Sequence, residues 1–208
     1  FKGLNLSFET LDGLIKHNGP INNLSKLNNI LGINFFKKKI NFKNSPSLEA
    51  QIASISDDIA YNSHDLEDGL RAKLFKLSDL KEIPVLNLIL KKHEKKFESF
   101  PQNLVLRQIV RETINSMVED IIINTKKNIK NKKIRNIQDV YKCKYPIVCF
   151  SKKMSLFDIN IKKFLKNNMY FHKSVITKTN LGKKIIKYLF FKIKKNPNKY
   201  IDKKLIKK

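Results

Sequence analysis

The chain has 208 residues, 43 Lys and Arg against 18 Asp and Glu, a formal charge of +25, two Cys and no Trp. That length can bury a real core, no apolar run approaches the roughly 20 residues that cross a bilayer, and two cysteines do not make a disulfide framework. The positive balance calls for anionic partners such as nucleic acid, nucleotides, polyphosphate or an anionic membrane, but no zinc-ligand spacing, Arg-rich arm or aromatic stacking motif supports a specific nucleic-acid reader.

Scarce Gly and Pro and long periodic runs predict an all-α protein. Cys143 and Cys149 are expected as reduced thiols in a soluble, cytoplasmic chain. The sequence opens on Phe1 with no initiator Met, and it is expected to be a fragment or a processed piece. Ser7 caps a short helix running to His17, with Leu11, Leu14 and Ile15 at helical spacing and Asn18-Gly19-Pro20 as its stop. Lys16 and His17 sit in its last turn, where cations complement the helix dipole; Lys16 could alternatively reach a phosphate just past the helix end. Residues 21–44, rich in Asn and Lys, read as a surface loop with about one helical turn.

From Ser45 to Leu70 the composition inverts: Glu49, Asp57, Asp58, Asp65, Glu67 and Asp68 occur with no Lys or Arg. Ser45-Pro46 reads as a helix start. At about 100° per residue, Leu48, Ile52, Ile55 and Ile59 form the packing stripe, while Asp57, Tyr61, His64 and Asp68 share a line nearly opposite it, flanked by Ala50, Ala53 and Ala60. Two readings stand. One is an amphipathic helix whose polar side faces water; the other is a metal or proton-transfer site, since carboxylates and His suit magnesium or a transition metal. Asp57 and His64 are about 10 Å apart along the axis, so further ligands would have to come from elsewhere.

A short segment at Lys73 to Leu80 precedes a helix from Val85 to Phe97 carrying Leu86, Ile89 and Leu90 on one face, with His93 among lysines as an exposed bystander. Pro101 opens a long helix, Asn103 to Lys127, with Leu104, Val110, Ile114, Met117 and Ile121 as its buried seam. Arg107 and Arg111, one turn apart, suit a fork grip on a phosphate chain or pairing with carboxylates such as Glu112. The Lys-Asn run 126–133 reads as a solvated linker separating residues 1–125 from the rest. Tyr145 to Phe150 reads as an extended piece with Pro146 at its edge. Ser151 or Ser155 then caps a helix through Met169, and another runs from Asn180 to Lys195 with Ile185, Ile186, Leu189, Phe190 and Ile193 as a broad apolar face suited to docking.

The stretches NLSFETLDGLIKHNGP and PSLEAQIASISDDIAYNSHDLEDGLRAKLF resemble the second half of bacterial deoxyguanosine triphosphate triphosphohydrolases, members of the HD-domain phosphohydrolase superfamily. RQIVRETINSMVEDII, FSKKM and the MYFH at Met169 to His172 resemble, more loosely, the phosphohydrolase-associated domain that follows the HD core. The resemblance implies an all-α fold, with residues 1–98 as the later part of the HD core and residues 99–208 as the associated domain. It implies a hydrolase that converts a dNTP, dGTP foremost, and water into a deoxynucleoside and tripolyphosphate. It further implies a divalent metal, Mg, Mn or similar, whose last Asp ligand matches Asp57, with Asp58 the neighbouring alternative. Tyr61 matches the substrate-contacting Tyr, Asp65 an acidic position near the sugar, and Lys16, Arg107 and Arg111 basic contacts to the triphosphate. A homo-oligomer and single-stranded DNA as a further partner are in keeping with the family, and a membrane is not. The family's first His and His-Asp pair have no counterpart in this chain, so the chain alone is expected to be inactive. The competing class is a basic helical module that binds nucleic acid or a partner chain without enzyme activity.

Overall fold

A computed structural model describes residues 3–23, 41–95, 99–202 and Leu205. Every regular element among them is helical, as the composition predicts. Helix α1 spans Phe8–Ile15, α2 Leu48–Arg71, α3 Pro84–His93, α4 Gln102–Asn131, α5 Ile137–Tyr141, α6 Lys152–Leu165, α7 Lys173–Lys195 and α8 Pro197–Tyr200. A 3-10 turn, Leu77–Glu82, precedes α3, and one turn of π-helix, Lys166–Tyr170, follows α6. Most of the segment read as a loop over 21–44, and residues 96–98 of the helix predicted to reach Phe97, lie outside the described residues.

Local chemistry sets the boundaries. Ser7 accepts from the Thr10 amide and Ser151 from the Met154 amide, each satisfying a free N–H of a first helical turn. For α2 the cap is Ser47, which accepts from Ala50, rather than Ser45; Ser45 is buried and its amide donates to Tyr141. Gly19 closes the turn after α1 at φ 101°, a conformation costly for other residues, and its amide donates to Lys16.

The core lies where α2, the 3-10 turn, α3, α4 and α6 converge, with Ile59, Leu66, Leu80, Leu86, Ile109, Met117, Phe157, Ile161 and Leu165 among its buried members. Phe75 and Phe164 meet edge to face at 4.9 Å between ring centroids. The buried face of α2 is rotated from the expected stripe. Ile52 is 48 % exposed, whereas Gln51, Asn62, Ser63 and Gly69 are buried beside Ile59 and Leu66. Polar residues can occupy that face because tertiary partners satisfy them: Gln51 accepts from the amides of Ile147 and Val148 at 2.8 and 3.0 Å and donates to the Pro46 carbonyl at 2.9 Å. This contact also corrects the extended piece expected at 145–150. The segment is irregular, its buried amides answered by one glutamine instead of a neighbouring strand.

On α4 the seam is Val105, Leu106, Ile109, Val110, Thr113, Met117 and Ile121, with Leu104 turned outward. The helix runs through the Lys-Asn stretch to Asn131, so most of the predicted linker is helical. The reason is a ladder of polar side chains one turn apart: Asp120 accepts from the Ser151 amide and hydroxyl, Asn124 donates to the Cys149 carbonyl, and Asn128 to that of Ile147. Those bonds tie the end of α4 to the 147–151 segment and reward helix there.

His93, expected as an exposed bystander, is a further correction. It is fully buried, its Nε2 2.8 Å from Glu112 Oε1. Neither ring nitrogen makes a well-aligned hydrogen bond. The lysines around His93 in sequence point elsewhere because α3 turns His93 inward toward α4.

Candidate functional site

The acidic helix α2 presents Asp57, Tyr61, His64 and Asp68 exposed along one line, as its periodicity predicts. At the head of that line α1 ends against it. The close approach has a cause: a Cβ on Gly13 would stand 3.2 Å from that of Ala50, so glycine lets α1 lie close to α2. His17, just past α1, then places Nε2 3.9 Å from Asp57 Oδ2.

Asp57 and Asp58, adjacent in sequence, have different surroundings. Asp58 pairs with Lys162 of α6 at 3.2 Å, and Lys162 also contacts Asp158 at 2.9 Å. Burial disfavours the Lys162 ammonium, but Asp158 and then Asp58 outweigh it and hold its pKa above the usual lysine range. Asn62 donates to the other oxygen of Asp158 at 2.9 Å, so α2 and α6 are joined by a polar cluster containing Asp58. Asp57 stays 72 % exposed, the freer of the two carboxylates.

One turn beyond Tyr61, Asp65 accepts a hydrogen bond from the hydroxyl of Tyr170. Burial first, then the hydrogen bond and charge of Asp65, push the Tyr170 phenol well above the ordinary tyrosine range, and Tyr61 adds to the shift. Tyr61, Asp65 and Tyr170 thus form one group. Periodicity could not have found Tyr170, because the π-turn inserts an extra residue and shifts the helical face that carries it.

The basic residues are placed differently. Lys16 is buried, 2 % exposed, its Nζ 2.6 Å from Asp12 and 6.0 Å from the centre of the Tyr141 ring. It lines a cavity of about 220 Å³ with Glu9, Asp12, Gln138 and Tyr141; burial, then Asp12, Glu9 and Glu49, raise the phenol pKa of Tyr141. Lys16 would have to leave Asp12 to reach a phosphate. Arg107 and Arg111 are exposed on α4, roughly 130° round the helix from the centre of its buried stripe. Neither forms an ion pair among the described residues; Glu112 contacts Lys92 and His93 instead. The structure thus sets Asp57, Tyr61 and Asp65 along α2, holds Lys16 against Asp12, and leaves Arg107 and Arg111 exposed on α4.

Among the described residues no group of three or more His, Cys, Asp or Glu is placed to hold a metal ion. Asp57 with His17 is a pair, short of the donor set a divalent cation requires. These residues by themselves do not fit the metal.

No helix among the described residues is long and apolar enough to cross a membrane. No family model matches the chain. Over 202 residues, 97 % of its length, it is 51 % identical to a deoxyguanosinetriphosphate triphosphohydrolase-like protein of Pelagibacter ubique, of which it covers 54 %. Proteins of the same name from Bartonella quintana and Neorickettsia sennetsu are 38 % and 36 % identical over 95 % and 91 % of the chain, which covers 50 % and 49 % of them. The chain spans about half the length of the curated relatives it matches.

Proposed function

Because the chain is homologous over nearly all its length to deoxyguanosinetriphosphate triphosphohydrolase-like proteins, we propose that it supplies one part of a dNTP triphosphohydrolase, with dGTP as the foremost substrate. The reaction is hydrolysis of the bond between deoxynucleoside and triphosphate, releasing tripolyphosphate. The homology carries this reading, and the exposed line on α2 agrees with it. Asp57 gives one carboxylate to a divalent metal whose remaining ligands are not among the described residues. Tyr61 and Asp65 face the deoxyribose end, one and two turns along the same helix. Lys16, once released from Asp12, and the exposed Arg107 and Arg111 of α4 offset the charge of the triphosphate. Residues 1–98 act as the later part of the catalytic core and residues 99–208 as the associated domain. The protein works in the cytoplasm as a homo-oligomer.

The test joins this chain to the portion of the Pelagibacter relative that it does not span and follows dGTP hydrolysis with Mg²⁺ or Mn²⁺, resolving deoxyguanosine and tripolyphosphate by chromatography. The expected result is activity in the parent and a loss of about 100-fold or more in Asp57→Ala, the scale of several kcal/mol of charge stabilisation. Equal rates in parent and Asp57→Ala, or no hydrolysis in either, would sink the reading. Salt-dependent binding to single-stranded DNA, unchanged by Asp57→Ala in an inactive parent, would favour the basic binding module.

A further inference from the structure

Helix α7 is 23 residues long and none of them is buried. In proteins most helical stability comes from packing an apolar face, and α7 carries such a face without a cover among the described residues. From Gly182 to Lys195, the side chains of Ile185, Ile186, Leu189, Phe190 and Ile193 fall within an arc of about 140° that holds no lysine. Ile185, Ile186, Leu189 and Phe190 are 50, 70, 48 and 59 % exposed. The lysines of that stretch take the rest of the circumference, with Lys183 and Lys192 bordering the apolar arc on its two sides. Residues 159–201 contain twelve Lys and no Asp or Glu.

We propose that α7 is a lipid-surface helix, which lies in the interface of a bilayer bearing anionic headgroups, its apolar arc among the acyl chains and its lysines at the phosphates. Charge complementarity selects this occupant, since a long positive segment with no carboxylate is drawn to a negative plane. A largely aliphatic arc flanked by lysines is the pattern of helices that settle at the headgroup boundary. The lysine stems at its two edges can lie along the apolar surface while their ammonium groups stay in water. Arginine, whose fork suits paired contacts to nucleic acid, does not occur in residues 159–201. Nucleic acid would also leave Ile186 and Leu189 in water. Its stacking contacts would fall to Tyr188 and Phe191, which lie among Lys184, Lys187, Lys192 and Lys195 on the opposite side of the helix. Contact of this kind is reversible and needs no spanning helix. It goes beyond the family expectation, which includes no membrane, and stands apart from the hydrolase reading.

The test mixes the chain with vesicles of phosphatidylcholine, alone or with about 30 mol % phosphatidylglycerol, and measures the bound share by flotation. Binding to the anionic vesicles should exceed that to the neutral ones by about tenfold or more, and should weaken as NaCl rises from about 50 to about 500 mM. Ile186→Asp should lose about tenfold or more and Lys183→Gln about fivefold, both with the urea midpoint unchanged. The chain has no Trp, so Phe190→Trp reports its own surroundings: its emission should shift to the blue on anionic vesicles and be quenched by brominated acyl chains. Equal binding to the two vesicles, or none to either, would overturn the proposal. A clear fall in the urea midpoint of Ile186→Asp would also overturn it, by showing that the chain covers this face itself. Self-association abolished by Ile186→Asp, without vesicle binding, would assign the face to a second copy. Single-stranded DNA bound in place of vesicles, and lost in Tyr188→Ala, would assign α7 to nucleic acid. In the fusion with the Pelagibacter portion, vesicle binding should persist whether or not dGTP is hydrolysed. Its loss there would show that the added portion covers α7, and would reject the lipid surface while leaving the hydrolase reading intact.

Discussion

The hydroxyl of Tyr170, on the π-turn after α6, donates to the carboxylate of Asp65 on α2, joining residues 105 apart in the chain. This bond fastens the second half of the molecule to the exposed face that carries Asp57 and Tyr61.

Tyr170 stays protonated in the folded state because burial, followed by the bond and charge of Asp65, raise its pKa above that of an unfolded tyrosine. A group with a raised folded pKa contributes stability that is complete below the unfolded value, about 10, and is lost as pH climbs above it. Tyr170→Phe should therefore cost about 0.5–1.5 kcal/mol at pH 8, the net worth of one partly exposed hydrogen bond, and should flatten the alkaline loss of stability. Urea midpoints from pH 8 to 11 check both. An unchanged alkaline slope would show that Tyr170 is not held this way.

Gln51 is expected to be the most sensitive polar residue of α2. Its Oε1 answers two buried amides, those of Ile147 and Val148. Gln51→Ala leaves both unsatisfied, at about 1–3 kcal/mol for each buried group. A loss of about 3 kcal/mol in chemical unfolding is the expected outcome, with the change in hydrogen exchange concentrated at amides 147 and 148.

Two glycines should respond in opposite ways. A Cβ at Gly69 would run into the ring of Phe75, which the core holds against Phe164, whereas one at Gly182 in α7 meets nothing. Gly69→Ala is predicted to destabilise by about 1–3 kcal/mol through overpacking. Gly182→Ala should stabilise by up to about 1 kcal/mol through helix propensity. Thermal melts of the pair, compared at equal pH, decide the matter.

Glu112 supplies an acid-side test. Burial works against its charge, but contacts from His93, Lys92 and Gln108 outweigh it and hold the carboxyl below the usual range near 4.5. Because the folded pKa is depressed, the stabilisation is present above the unfolded value and is lost as pH falls through the folded one. Glu112→Gln should cost about 1 kcal/mol at pH 7, and its gap from the parent should close on acidification below pH 4.5. A gap that stays constant to pH 3 would show that the charge on Glu112 is not what matters.

What the sequence determined by itself is local and periodic. The helical class, the caps at Ser7 and Ser151, and the exposed line of Asp57, Tyr61, His64 and Asp68 follow from spacing within one or two turns, and the family likeness from linear motifs. What only the tertiary structure decided involves partners far apart in the chain. Gln51 is buried because residues 147 and 148, 96 and 97 positions away, need its carbonyl oxygen; His93 is buried because α3 turns it onto Glu112; the Lys-Asn run is helix because Asn124 and Asn128 meet the 147–149 segment. Periodicity assigns a polar residue to water by default, and burial of a polar group becomes favourable only when a specific partner replaces that water. Tyr170 adds a second reason: one inserted π-turn moves every later side chain to a new face, so the residue that holds Asp65 is displaced from any regular pattern.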